Sequence, residues 1–240
     1  MNFLKKYISI FFGDNFLNKL KIFYTKFFPY AYRQYYYSQF GEDVPLRVFI
    51  GDKIKKKGFY VDVGAYHPIH LSNTYYFYKN GWRGINIDVN PKSIEMFDVV
   101  RKRDININAA VSNCSGTATF YSWDSVYDTI SDEEAKKIRK KVGPEKFSKE
   151  VSVKSLKEIL DNNLGNNQKI DFLSIDVEGV DLQVLKSNDW NKYKPEFLIV
   201  EEHETDINKL LNSEKFKYLD SLGYKLVSWT CLSYIFKFSN

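Results

Sequence analysis

Gly58-Phe-Tyr-Val-Asp-Val-Gly64 is an apolar run that closes on an acid and a glycine. β-Branched and aromatic residues in a short block, stopped by Asp62 and Gly64, describe a buried strand running into a loop. The same form returns along the chain. Gly84-Ile-Asn-Ile-Asp88 reads as a second strand, 105–110 as a third, 170–175 as a fourth and 197–200 as a fifth. Helices are predicted between them, over 72–80, over 91–102 behind Asn90-Pro91, and over 152–162, which contains a capping-box-like Ser155-x-x-Glu158. Residues 224–229 and 234–238 read as a closing antiparallel hairpin. Buried strands alternating with helices predict an α/β fold, a mostly parallel sheet with helices on both faces.

Open parallel sheets bind ligands beyond the carboxyl ends of their strands, so polar residues just after each apolar run are the candidates. Asp62 and Gly64 follow the first strand, Asp88 and Asn90 the second, and Asn108 lies at the third. Asp176 and Glu178 follow the fourth, and Glu201, Glu202 and His203 the fifth. The first loop, Asp62-Val-Gly-Ala-Tyr-His-Pro68, lacks the GxGxxG spacing of a dinucleotide fingerprint. It therefore lacks the run of exposed amides that a pyrophosphate needs. Asp88 stands 26 residues past Asp62, placed to accept hydrogen bonds from ribose hydroxyls.

Further stretches fall in a familiar order: Ser38-Gln-Phe-Gly-Glu-Asp43, Val61-Asp-Val-Gly-Ala-Tyr-His-Pro68, Ser72-Asn-Thr74, Gly81-Trp-Arg-Gly84 and Asp88-Val-Asn-Pro91. Ala109-Ala-Val-Ser112, Asp171-Phe-Leu-Ser-Ile-Asp-Val-Glu-Gly179 and Pro195-Glu-Phe-Leu-Ile-Val-Glu201 continue it. Over residues 38–205 the chain resembles the FkbM-type methyltransferases of the class I, Rossmann-like superfamily that uses S-adenosyl-L-methionine (SAM). The resemblance implies methyl transfer to an oxygen of a sugar, nucleotide-sugar or glycan precursor. It implies cofactor contacts at Asp62, Gly64 and Asp88, with Gln39 and Asn73 beside them; Ala65 in the first loop and Asn108 at the third strand are further cofactor candidates by position. Residues 38–240 are then the catalytic domain, with 124–150 an insertion or flap.

Methyl transfer to a hydroxyl requires in-line alignment and removal of a proton. His203 has the intrinsic pKa of a general base, and Asp176 and Glu178 could hold the acceptor, the base or a hard cation. Carboxylates such as Asp176 and Glu202, with His203, suit Mg²⁺ or Mn²⁺. Blander readings stand beside these. Asp176 and Glu178 could cap a helix near Val180, and His203 could be a solvated loop residue. His67 and His70 could be structural, and Gln39, Glu42 and Asp43 could cap a helix running to Gly51. A metal-dependent glycosyltransferase using Asp176-x-Glu178 is the alternative enzyme, and a membrane-attached scaffold the non-enzymatic one.

A hydrophobic share of 44% excludes global disorder. The net charge of +5 favours anionic partners, but no nucleic-acid motif accompanies it. Two cysteines, Cys114 and Cys231, provide no disulfide framework, so a cytoplasmic location is expected. Residues 1–37 form a basic, aromatic extension: Lys5, Lys6, Lys19, Lys21, Lys26 and Arg33 stand against Asp14, with phenylalanines near helical spacing. A helix there would serve as a cap, a self-association element or an interfacial anchor on the inner face of a membrane.

Overall fold

Each central strand separates two hydrophobic layers, because successive side chains point to opposite faces. In the computed structural model, β1 (Phe59–Val63) sends Val61 and Val63 into one core and Tyr60 into the other. β2 (Arg83–Asp88) and β7 (Phe172–Ile175) do the same, with Ile85, Ile87, Leu173 and Ile175 in the first core and Phe172 in the second. The structure describes residues 15–20, 22–28, 35–165 and 168–239.

Within residues 36–240 the first helices are α1 (Asp43–Ile50), α2 (Tyr75–Lys79) and α3 (Pro91–Val100). α3 starts where expected, with the Asn90 side chain accepting the Lys92 amide. α1 opens at the expected acids, but the Glu42 side chain makes no cap bond. β3 (Ile105–Asn108) completes the first half of the sheet. The chain then crosses to β7 and β8 (Phe197–Glu201), with α5 (Leu156–Asn163) before β7 and α6 (Asp181–Lys186) between the two. α7 (Ile207–Asn212) and α8 (Glu214–Ser221) precede the closing hairpin of β9 (Tyr224–Thr230) and β10 (Ser233–Phe238).

Among the described residues the main sheet has the order β3-β2-β1-β7-β8-β10-β9. β3, β2, β1, β7 and β8 are parallel neighbours, and β10 is antiparallel to both β8 and β9. Chain order reverses between β1 and β7, so the switch point that opens a ligand crevice lies between Asp62-Gly64 and Asp176.

Two expectations change. The stretch 105–110 is not one strand: it divides into β3 and β4 (Ala110–Val111), and β4 joins a small separate sheet. There β6 (Phe147–Lys154) pairs parallel with β4 and antiparallel with β5 (Gly116–Ser122). Residues 152–154 are therefore strand, not helix, and the helix begins only after Ser155, whose side chain accepts the Glu158 amide. Within 124–150 lies α4 (Asp132–Val142).

The chain divides into two compact units, Met1–Tyr35 and Tyr36–Asn240. In the first, residues 15–20 and 22–27 are helical, and the remainder of the expected extension falls mostly outside the described residues. This unit holds six Lys and Arg against Asp14, which leaves 29 basic and 29 acidic residues of the 35 and 30 for the second unit. Among the described residues no helix is long and apolar enough to cross a membrane.

Candidate active site

A cavity of about 310 Å³ covers the carboxyl ends of β2, β1, β7 and β8. Its first half is built on Asp62, Gly64 and Asp88. The Gly64 and Ala65 amides both donate to the Ile87 carbonyl, which folds the loop back over β2. Gly64 has φ +80°, and a Cβ there would stand 1.7 Å from the Asp176 carbonyl oxygen. Only glycine permits this crossing of the two strand ends. Farther along the loop, Tyr66 and Leu71 also have positive φ, at 54° and 55°.

The Asp88 carboxylate accepts the Tyr66 amide at 2.8 Å and the Asn90 amide at 2.7 Å. Each oxygen keeps a further lone pair, enough for a ligand diol. Burial is the main reason its carboxyl rises from 3.8 to about 6, against those two amides. Asp62 is likewise raised to about 6, chiefly by burial, while Thr74 Oγ1 donates to it at 2.9 Å. Asp62 lies in register with Asn86 on one side and Ser174 on the other. Asn73 donates to Ser174 at 3.0 Å and also lines the cavity, as do Gln39 and Ala65.

The second half is acidic. Asp176, Glu178 and Glu201 face the cavity from β7 and β8, with His203 beside them. His203 Nε2 is 3.6 Å from Glu201 Oε1. Burial first, then mutual repulsion, pushes Glu178 and Glu201 up to about 8 and Asp176 well above the ordinary carboxylate range. Glu178 adopts φ 48°, and Gly179 follows at φ 97°, so the β7–α6 turn is a tight left-handed pair. The Asp181 side chain accepts the Val177 amide at 3.2 Å, tying α6 back to the turn.

The segment expected to be a flap forms the roof. Ser125–Ile130, Glu134, Lys137, Ile138 and Lys141 line the same cavity. Asp128 anchors it, taking the Trp123 amide at 2.8 Å and the Asn90 side-chain amide at 2.8 Å. Thr129 Oγ1 donates to the Glu178 carbonyl at 2.7 Å. The roof is thus hydrogen-bonded to both halves.

Two of the sequence assignments move. Asn108 does not line the cavity; its side-chain amide donates to the Asp88 and Val89 carbonyls at 3.0 and 2.9 Å, so it braces the strand end. Glu202 points to the other face of β8, where its carboxylate lies 3.5 Å from Lys215 Nζ, and Glu201 takes the inward position. Neither His67 nor His70 lines the cavity; His67 Nδ1 accepts the Ile69 and His70 amides and shapes the loop.

Other residues gave no sequence signal of their own. Arg101 is fully buried and donates to the Pro68 carbonyl, Tyr60 hydroxyl, Ser72 and Thr74, and its guanidinium lies 3.6 Å from the Asp104 carboxylate. At the end of a helix, beside Lys102 and Arg103, it looks like one more solvated base. Ser174 could have been found by alternation, since it is the polar residue in Phe172–Ile175 at the register of Asp62.

A family profile described as "Methyltransferase FkbM domain" matches residues 62–226, more than half of the chain. No curated protein matches the sequence. Among solved structures, the chain is similar to 1,6-didemethyltoxoflavin-N1-methyltransferase of Burkholderia thailandensis, crystallised with 1,6-didemethyltoxoflavin and S-adenosylhomocysteine. The identity is 10%, the TM-score 0.41, and the match covers 84% of this chain and 80% of that one. It is also similar to an O-methyltransferase of Bacillus cereus in complex with SAH, at 10% identity and TM-score 0.41, over 97% of this chain and 95% of that one. At that level nothing about ligands or substrates passes from either protein to this one.

Proposed function

Because the chain belongs to the FkbM methyltransferase family, we propose that it transfers a methyl group from SAM to a hydroxyl of a sugar, nucleotide-sugar or glycan precursor. The observation that carries this reading is the division of one cavity into two chemically different halves. SAM, when bound, supplies a methyl group already activated by its sulfonium. The chain's residues must hold the nucleoside, orient the acceptor oxygen and take its proton.

The Asp62, Gly64 and Asp88 half suits the nucleoside. Asp88 offers a fixed carboxylate to a diol, and the Gly64 crossing keeps the loop low over the sheet. Nothing in that loop forms the amide cradle of a pyrophosphate site. The opposite half supplies oxygen and nitrogen acceptors for a hydroxyl proton in Asp176, Glu178 and His203. The glycosyltransferase alternative gives way to the family match, and the diphosphate of its nucleotide-sugar donor would meet no amide cradle in the first loop.

The cofactor assignment is tested by melting the purified chain with S-adenosylhomocysteine. A ligand present at about 100 times its Kd stabilises by about 2.7 kcal/mol, a shift of about 5–11 °C for a chain of this size. Asp88→Asn should remove most of that shift. The reading fails if the wild-type protein shows no shift and no heat of binding with either SAM or S-adenosylhomocysteine.

A further inference from the structure

Arg101 caps the end of α3 with no exposed surface. A guanidinium is costly to bury, and apolar packing would hold a helix end at least as well, so its presence needs another account. Its donors supply one. Nε donates to the Pro68 carbonyl at 2.8 Å and Nη1 to the Tyr60 hydroxyl at 2.9 Å. Nη2 donates to Ser72 Oγ at 2.9 Å and to Thr74 Oγ1 at 3.3 Å. All but the Tyr60 oxygen belong to residues 68–74, the far arm of the first loop. The grips at Pro68 and Ser72 bracket Leu71, whose φ of 55° is a left-handed conformation that only its surroundings can maintain. Beyond them, Asn73 lines the cavity and donates to Ser174, and Thr74 Oγ1 passes its own proton to Asp62 as a hydrogen bond.

We propose that Arg101 is a positioning residue of the cofactor half: it seats residues 72–74 against the sheet and, through the Thr74 hydroxyl, holds the Asp62 carboxylate at the cavity wall. This assignment rests on the methyltransferase reading and deepens it, because Arg101 touches no part of the cavity itself.

The same contacts carry an electrostatic signature. Burial lifts the Asp62 carboxyl to about 6; the Thr74 hydroxyl, the Arg101 charge and the Ser174 hydroxyl pull it down, and the Asp104 carboxylate pushes it up. Asp104 lies 3.6 Å from the guanidinium and accepts the Tyr60 hydroxyl. Asp88 on β2 and Asp176 beyond β7 are the other charges that act with Asp62, and the substitutions below leave both in place. A scaffold and a positioning residue therefore differ in sign. Losing the Arg101 charge raises Asp62 further, whereas losing the Asp104 charge lowers it.

The test is calorimetry of S-adenosylhomocysteine binding to the intact chain between about pH 5 and 9, with melting curves to show that each variant folds. Arg101→Gln and Thr74→Val should bind about tenfold more weakly at pH 7 and regain most of that loss at the alkaline end. Arg101→Lys keeps the charge and should lie closer to wild type. Asp104→Asn should move the opposite way, losing less affinity than wild type below pH 6. The proposal is overturned if the Arg101 variants weaken by one factor at every pH, if they bind as wild type does, or if Asp104→Asn moves in the same direction as they do. Should Arg101→Gln not fold, Thr74→Val and Asp104→Asn decide, since both keep the guanidinium, and unmoved pH profiles in both overturn it. A wild type that binds no S-adenosylhomocysteine at any pH overturns the cofactor reading, and the assignment falls with it.

Discussion

Asp88 is held between two opposed demands. Its two amide donors favour the ionised form, yet burial wins and lifts the carboxyl to about 6. Ribose hydroxyls donate to the ionised carboxylate, so a proton bound there must first be lost. The affinity for S-adenosylhomocysteine should hold steady above about pH 7 and fall below pH 6, approaching tenfold per unit. Calorimetry from pH 5 to 8 checks this, and an affinity flat across that range would remove Asp88 from the cofactor site. The stability term has the opposite sense. Asp62 and Asp88 have folded pKa values above the unfolded one, so the stabilisation they give is present below about pH 4 and lost as pH rises through 6. At neutral pH these acids tax the free fold in order to meet the ligand ionised.

At the scale of elements, the roof rests on few buried side chains. α4 has the marks of a helix that folds locally. Ser131 caps it, Asp132, Glu133 and Glu134 fill its first turn, and Arg139, Lys140 and Lys141 fill its last. Only Ala135 and Ile138 of α4 are buried, in a small cluster with Trp123. Thr129→Val deletes the hydroxyl that ties the roof to the Glu178 carbonyl and costs about 1–3 kcal/mol at that point. Amide exchange in 129–142 should then quicken by about five- to 150-fold, with β1 and β7 unchanged. Equal acceleration in the central strands would mean that the roof does not open by itself. The sequence showed the central strands because they are buried on both faces and end in acids. β6 escaped it for the complementary reason. Phe147–Lys154 is mostly exposed and carries Lys149, Glu150 and Lys154, so its strand form comes from pairing with β5, which no periodicity records. Residues 152–154 were drawn into the neighbouring helix, although Ser155 marks the true cap. The cofactor half was legible from the tips of β1 and β2. The acceptor half was legible as a group, but the parity of Glu201 against Glu202 needed the actual register of β8.

At the scale of the molecule, charge and apolar surface are concentrated together. Phe16, Leu20, Phe23 and Phe27 recur at helical spacing in the first unit and are 44–56% exposed, with Lys19 in the helical residues 15–20 and Lys26 in the helical residues 22–27. A short basic helix with exposed aromatics fits the interface of an anionic bilayer. The intact chain should float with vesicles of anionic phospholipid at low salt, stay behind with neutral phosphatidylcholine, and be released as salt rises. Failure to float at low salt would assign that helix to self-association or to capping. The charge division also sets how the two units behave as colloids. With 29 charges of each sign, residues 36–240 have no net charge at neutral pH once the first unit is cut away. A particle without net charge has no long-range repulsion to keep its copies apart. The greasy extension that a crystallographer would trim first is therefore also the source of the chain's whole net charge, and with it of any long-range repulsion between copies.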